Sequence, residues 1–193
     1  NTAGDFFITR DQNILILRPT SPTTQAFFVS TSDGLANEAL QLLYKEVGAI
    51  SDLPVYCKKG FKIKVQGDPS LDEDDYYVEF ETNDNSTYGS GIWNETTGFS
   101  VKTELAADTM PHGLVNVGIN EFVFGAFNGA VKTAPQYGDY VFKSWGDRTV
   151  GDDSSNPFPS FTAGRPISAM TLFKNRLCFI SGSDITFSEA GEF

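Results

Sequence analysis

Short stretches of alternating apolar and polar residues dominate the chain, and they predict strands far more often than helices. Phe6-Phe7-Ile8-Thr9 and Ile14-Leu15-Ile16-Leu17 flank the polar Arg10-Asp11-Gln12-Asn13, a hairpin that should stop at Pro19. Phe61, Ile63 and Val65 alternate with Lys62, Lys64 and Gln66, the pattern of a strand with one wet face. Gly67-Asp68-Pro69-Ser70 then turns the chain, and Tyr76 to Phe80 supplies a partner strand. A further hairpin is expected from Trp93 to Thr96 and Phe99 to Thr103 around Thr97-Gly98, with more strands at Leu114 to Val117 and Phe122 to Phe124. Residues 125–150 read as strand plus long loop, and Gly151 to Phe161 as a turn-rich connector. Met170 to Phe173 and Arg176 to Ile180 form a hairpin around Lys174-Asn175, followed by a third strand at Asp184 to Ser188.

One segment breaks the pattern. Ala36, Ala39, Leu40, Leu43 and Val47 fall on one helical stripe, Ser32 or Asp33 can cap it and Gly48 can end it, which predicts an amphipathic helix over 33–47. The fold class expected is therefore mainly β (all-β or α+β) with one amphipathic helix. The terminal hairpins share a layout of strand, polar turn and aliphatic strand, as in pieces of a β-propeller blade. This divides the chain into a platform hairpin at 1–19, an inserted mainly-β domain at 20–161 and a second platform hairpin at 162–193. The platform is then incomplete, and the chain, which does not begin with Met, is expected to be an internal piece of a longer protein.

Composition narrows the function. The 17 Phe, 18 Gly and 9 Pro suit short strands and tight turns. A net charge of −11 sets the overall field against phosphate, so stable nucleic-acid binding is not expected. No apolar run reaches the length of a membrane span. Cys57 and Cys178 lack metal-ligand spacing and read as buried thiols.

Candidate chemistry is sparse. His112, the only histidine, sits in the turn Pro111-His112-Gly113 with no nucleophile motif near it, and a structural role is expected. The acidic run Asp72 to Asp75 and the group Asp152, Asp153 and Asn156 lack the spacing of a calcium loop and read as solvated charge. Glu79, Glu81, Glu95 and Glu104 lie near aromatics, without spacing that would favour any pair for glycoside hydrolysis. No catalytic, cofactor-binding or metal-ligating residue is assigned, and no cofactor is expected. Arg176, set beside an apolar strand, is expected to pair, inward or between blades, with an Asp, a Glu or a backbone carbonyl.

The order TMPHGLV (Thr109 to Val115), WGDR (Trp145 to Arg148), GDDSSNPFPSF (Gly151 to Phe161) and LFKNRLCFISGSDITFSEAGEF (Leu172 to Phe193) resembles the tail tubular protein B family, the nozzle proteins of short-tailed bacteriophages. Met110-Pro111-His112, Asn156-Pro157, Asn175-Arg176-Leu177 and Ser188 carry the match. Gly4 to Leu17 and Gly67 to Phe80 match more loosely. The resemblance implies a structural, non-enzymatic virion component: a hexameric tail nozzle below the portal adaptor, with tail fibres nearby. DNA would pass through its channel without stable binding. The chain is much shorter than a full nozzle protein, stopping at Phe193 where the family continues, and between Arg18 and Asp33 it lacks part of the inserted domain. A tail module that binds or hydrolyses carbohydrate is the alternative, resting on aromatics such as Tyr88, Trp93 and Tyr137.

Overall fold

The computed structural model describes residues 6–12, 14–20, 28–35, 39–67 and 75–192. Their contacts divide into two units, Asn1–Phe99 and Ser100–Phe193, and each is taken by itself.

The first unit opens with the expected hairpin, β1 (Phe6–Asp11) against β2 (Ile14–Pro19), antiparallel from Phe6↔Pro19 to Asp11↔Ile14. Its main body is a five-stranded sheet of β3 (Glu46–Val47), β4 (Tyr56–Lys58), β5 (Lys62–Val65), β6 (Tyr76–Thr82) and β7 (Tyr88–Thr96) in the order β3-β5-β6-β7-β4. Alternation in β5 works as predicted. Ile63 and Val65 join Leu53 and Val78 in the core, while Lys62 and Lys64 reach Glu79 and Asp75. Phe80, 1% exposed, lies on the same sheet, and burying a side chain of that size contributes about 2–3 kcal/mol.

Two expectations fail here. No described residue of 33–47 is helical; Ala36, on the predicted stripe, lies outside the described residues. Instead of capping a helix, the Asp33 carboxylate accepts the N–H groups of Leu35 at 2.7 Å and of Ala39 and Leu40 at 2.9 Å, a side-chain-organised loop. Beyond it, Lys64 N–H and Gln66 N–H donate to the carbonyls of Lys45 and Val47, and β3 pairs in parallel with β5. Leu43 and Val47 still pack on the core from extended chain, whereas Ala39 and Leu40 of the same stripe are exposed.

The hairpin around Thr97-Gly98 is also absent. β7 pairs back onto β6 from Tyr77↔Thr96 to Thr82↔Gly91, and the reversal lies before it, where Asn85 has φ 63°. Gly89 and Gly91 weaken the strand signal at the start of β7. The structure needs Gly91, because a Cβ there would lie 2.0 Å from the Glu81 carbonyl oxygen.

The second unit holds three small sheets: β8 (His112–Gly118) with β9 (Glu121–Ala126), β10 (Val131–Ala134) with β11 (Gly138–Val141), and the meander β12 (Ala169–Phe173), β13 (Arg176–Ser181) and β14 (Asp184–Phe187). The turn between β12 and β13 has Lys174 at φ 48° and Asn175 at φ 58°, the left-handed pair of a tight type I′ hairpin. One core gathers Val123, Ala134 and Phe142; a second gathers Met110, Phe161 and Phe179 with Leu105, Trp145 and Leu177 around them.

Candidate functional site

Some motif residues of the second unit meet at the connector from Trp145 to Ala163. Arg148 is its centre and is 7% exposed. Its N–H donates to the Thr103 carbonyl at 2.9 Å, and its Nη1 donates to Asp153 Oδ1 at 2.8 Å. The guanidinium carbon lies 4.0 Å from the centre of the Phe158 ring, so the cation rests on an aromatic face. Among the described residues nothing accepts from Nε or Nη2.

The loop that brings Asp153 there is fixed locally. Gly151 has φ 72°, and a Cβ on it would come within 2.8 Å of Ser155 Oγ and Asn156 Cβ. Asp152 Oδ1 accepts the N–H groups of Ser154 and Ser155 at 2.9 and 3.0 Å. Asn156 closes the loop, its N–H donating to the Asp152 carbonyl and its Nδ2 to the Val150 carbonyl. Asp152, Asp153 and Asn156 are thus spent on the loop itself. Downstream, Ser160 Oγ donates to the Ser181 carbonyl at 3.0 Å, and Phe161 enters the core beside Met110, Trp145 and Phe179.

The remaining motif positions are equally structural. His112 stacks on Phe124 at 5.5 Å, and its Nδ1 lies 3.1 Å from the Met110 carbonyl oxygen. Ser188 Oγ accepts the Leu177 N–H at 2.9 Å, and its carbonyl accepts from Arg176 at 3.0 Å. Arg176 therefore has the carbonyl partner expected, but its side chain is exposed, which corrects the inward placement. At the end of β13, beside the Lys174-Asn175 turn, it reaches Ser188 across the surface. The buried arginine is Arg148, and the signal for it was an Asp five residues on followed by Phe158.

Elsewhere Asp75, Glu79 and Glu81 are also engaged. Asp75 pairs with Lys64 and accepts the Gly67 N–H at 3.0 Å; Asp72, Glu73 and Asp74 lie outside the described residues. A shallow groove of ≈ 310 Å³ is lined by Lys59, Glu79, Glu81, Asn94 and Glu95. Within it Glu79 faces Lys62 at 3.9 Å, and Glu81 accepts from Asn94 at 2.9 Å. Among the described residues no group of three or more His, Cys, Asp or Glu could hold a metal ion. Cys57 and Cys178 are buried free thiols, and burial pushes the Cys57 thiol above its ordinary range.

The aromatics suggested for sugar binding serve the fold. Trp93 Nε1 donates to the Pro54 carbonyl at 2.9 Å, its ring 5.0 Å from that of Phe80. Tyr88 accepts from Arg18 at 3.1 Å, and Tyr137 accepts the Ile119 N–H at 3.3 Å with its ring over Gly118. No helix among the described residues is long and apolar enough to cross a membrane.

Two comparisons with known proteins find phage tail proteins. The chain is similar to the tail tubular protein gp12 of Escherichia phage T7, 29% identical over 164 residues that make up 85% of this chain and 18% of that protein. It therefore spans less than a fifth of the length of that curated relative. The family model described as bacteriophage nozzle protein matches residues 1–193, and on that match the chain belongs to the bacteriophage nozzle protein family.

Proposed function

We propose that the chain is a structural, non-enzymatic part of the tail nozzle of a bacteriophage, a segment of the tube through which the genome leaves. The family match over residues 1–193 carries this reading. The motif residues are in keeping with it: Asp152, Asn156 and Ser160 fix loops, Asn175 forms a turn, and Met110 and Phe161 enter a core. Gold-labelled antibodies raised against residues 1–193 should decorate the tail of intact virions. Labelling of the capsid, or none of assembled particles, would contradict the proposal.

The finer arrangement is proposed on the resemblance. Full-length protomers form a hexameric ring attached to the tail adaptor, with fibres docking nearby. The net charge of −11 suits a wall that lets DNA slide, because like charges limit sticking. Retention of DNA by the assembled ring at low salt would count against that point.

A further inference from the structure

We propose that Asn128 is a site of spontaneous deamidation and isomerisation, by closure of a succinimide with the backbone nitrogen of Gly129. Among the asparagines of the sequence only Asn128 precedes a glycine; Asn156 precedes Pro157, which has no N–H, and the others precede residues with side chains. Ring closure needs the next backbone nitrogen to reach the side-chain carbonyl carbon, and a following side chain or a fixed backbone obstructs that approach.

No side chain obstructs the approach, and the attacking nitrogen is not held by a hydrogen bond among the described residues. Both residues are exposed in the loop between β9 and β10, and a Cβ built on Gly129 would meet nothing within 4 Å. Gly129 has φ 76°, a conformation that a glycine adopts without strain, and its N–H has no acceptor among the described residues. The Asn128 Oδ1 accepts the Ala130 N–H at 3.0 Å. A donor on that oxygen draws electron density from the carbon under attack and stabilises the oxyanion that forms there.

In the reaction the Gly129 nitrogen loses its proton to hydroxide, the bond from that nitrogen to Asn128 Cγ forms, and the bond from Cγ to Nδ2 breaks. Ammonia leaves. Water then opens the ring at either carbonyl, giving aspartate or isoaspartate. Both products add a negative charge. Isoaspartate also lengthens the backbone by a methylene ahead of Gly129, two residues before Ala130, whose carbonyl accepts the Phe142 N–H at 3.0 Å.

The test holds the chain at mildly alkaline pH, folded and in urea, and follows it by peptide mapping and mass spectrometry. Two isomeric products with oxygen in place of NH should accumulate at Asn128 in the folded chain, at a rate within about tenfold of that in urea. The other asparagines should stay intact. Asn128→Gln and, separately, Gly129→Ala should suppress the products. Asn128 remaining intact in the folded chain while it converts in urea would overturn the proposal, as would equal conversion at another asparagine.

Discussion

A guanidinium withdrawn from water destabilises a fold unless its charge and its donors are met. The charge of Arg148 is met by Asp153 through Nη1 and by the Phe158 ring, while its Nε and Nη2 have no acceptor among the described residues. Arg148→Ala should lower the stability of the chain by about 2–3 kcal/mol in urea denaturation, whereas Arg176→Ala, at an exposed site, should change it by no more than about 0.5 kcal/mol. Equal losses at the two positions would contradict this assignment. Asp84 supplies a pH-dependent counterpart. The Ser86 hydroxyl and then its backbone N–H hold the Asp84 carboxyl below the usual carboxylate range. Because the folded value is depressed, the stabilisation is present above the unfolded value and disappears as pH falls through the folded one. Ser86→Ala should raise the Asp84 value in a carboxyl-carbon NMR titration; an unchanged titration would show that Ser86 does not hold it.

Elements closed by local turns were legible in the sequence; elements held by distant partners were not. The hairpins β1–β2 and β12–β13 each join two apolar runs across a short polar turn, and the Lys174-Asn175 pair takes the positive φ angles that such a turn demands. Replacing that pair by Lys174→Asn with Asn175→Gly should stabilise the meander by about 0.5–1 kcal/mol, read from thermal melts. By contrast, residues 33–47 carry a helical stripe, yet their described part is held by the Asp33 side chain and by β5. A helix prediction weighs only neighbours, and here the acceptors and donors come from elsewhere in the fold. The glycines of β7 misled for a related reason, since close approach to β6 is visible only once the strands are paired. Gly118 shows the same dependence. A Cβ there would lie 2.0–2.3 Å from the Tyr137 ring, so Gly118→Ala should cost about 1–3 kcal/mol, and a Tyr137→Ala background should relieve most of that cost.

At the scale of the whole molecule, the candidate site was legible as motifs but not as roles. The order from Met110 to Ser188 pointed to a family, and the structure shows that these residues lock loops and cores. Which arginine is buried depended on how the connector folds over Arg148, and sequence spacing alone favoured Arg176. Both units also leave large apolar side chains in water, among them Phe7, Ile8, Leu114, Phe124, Met170 and Leu172. In the nozzle wall proposed above, assembly would cover such surface. The most direct measurement is cryo-electron microscopy of the full-length protein. The account predicts a closed ring of six protomers around a channel, with residues 1–193 in its wall. A monomer, or an assembly without a channel, would contradict it.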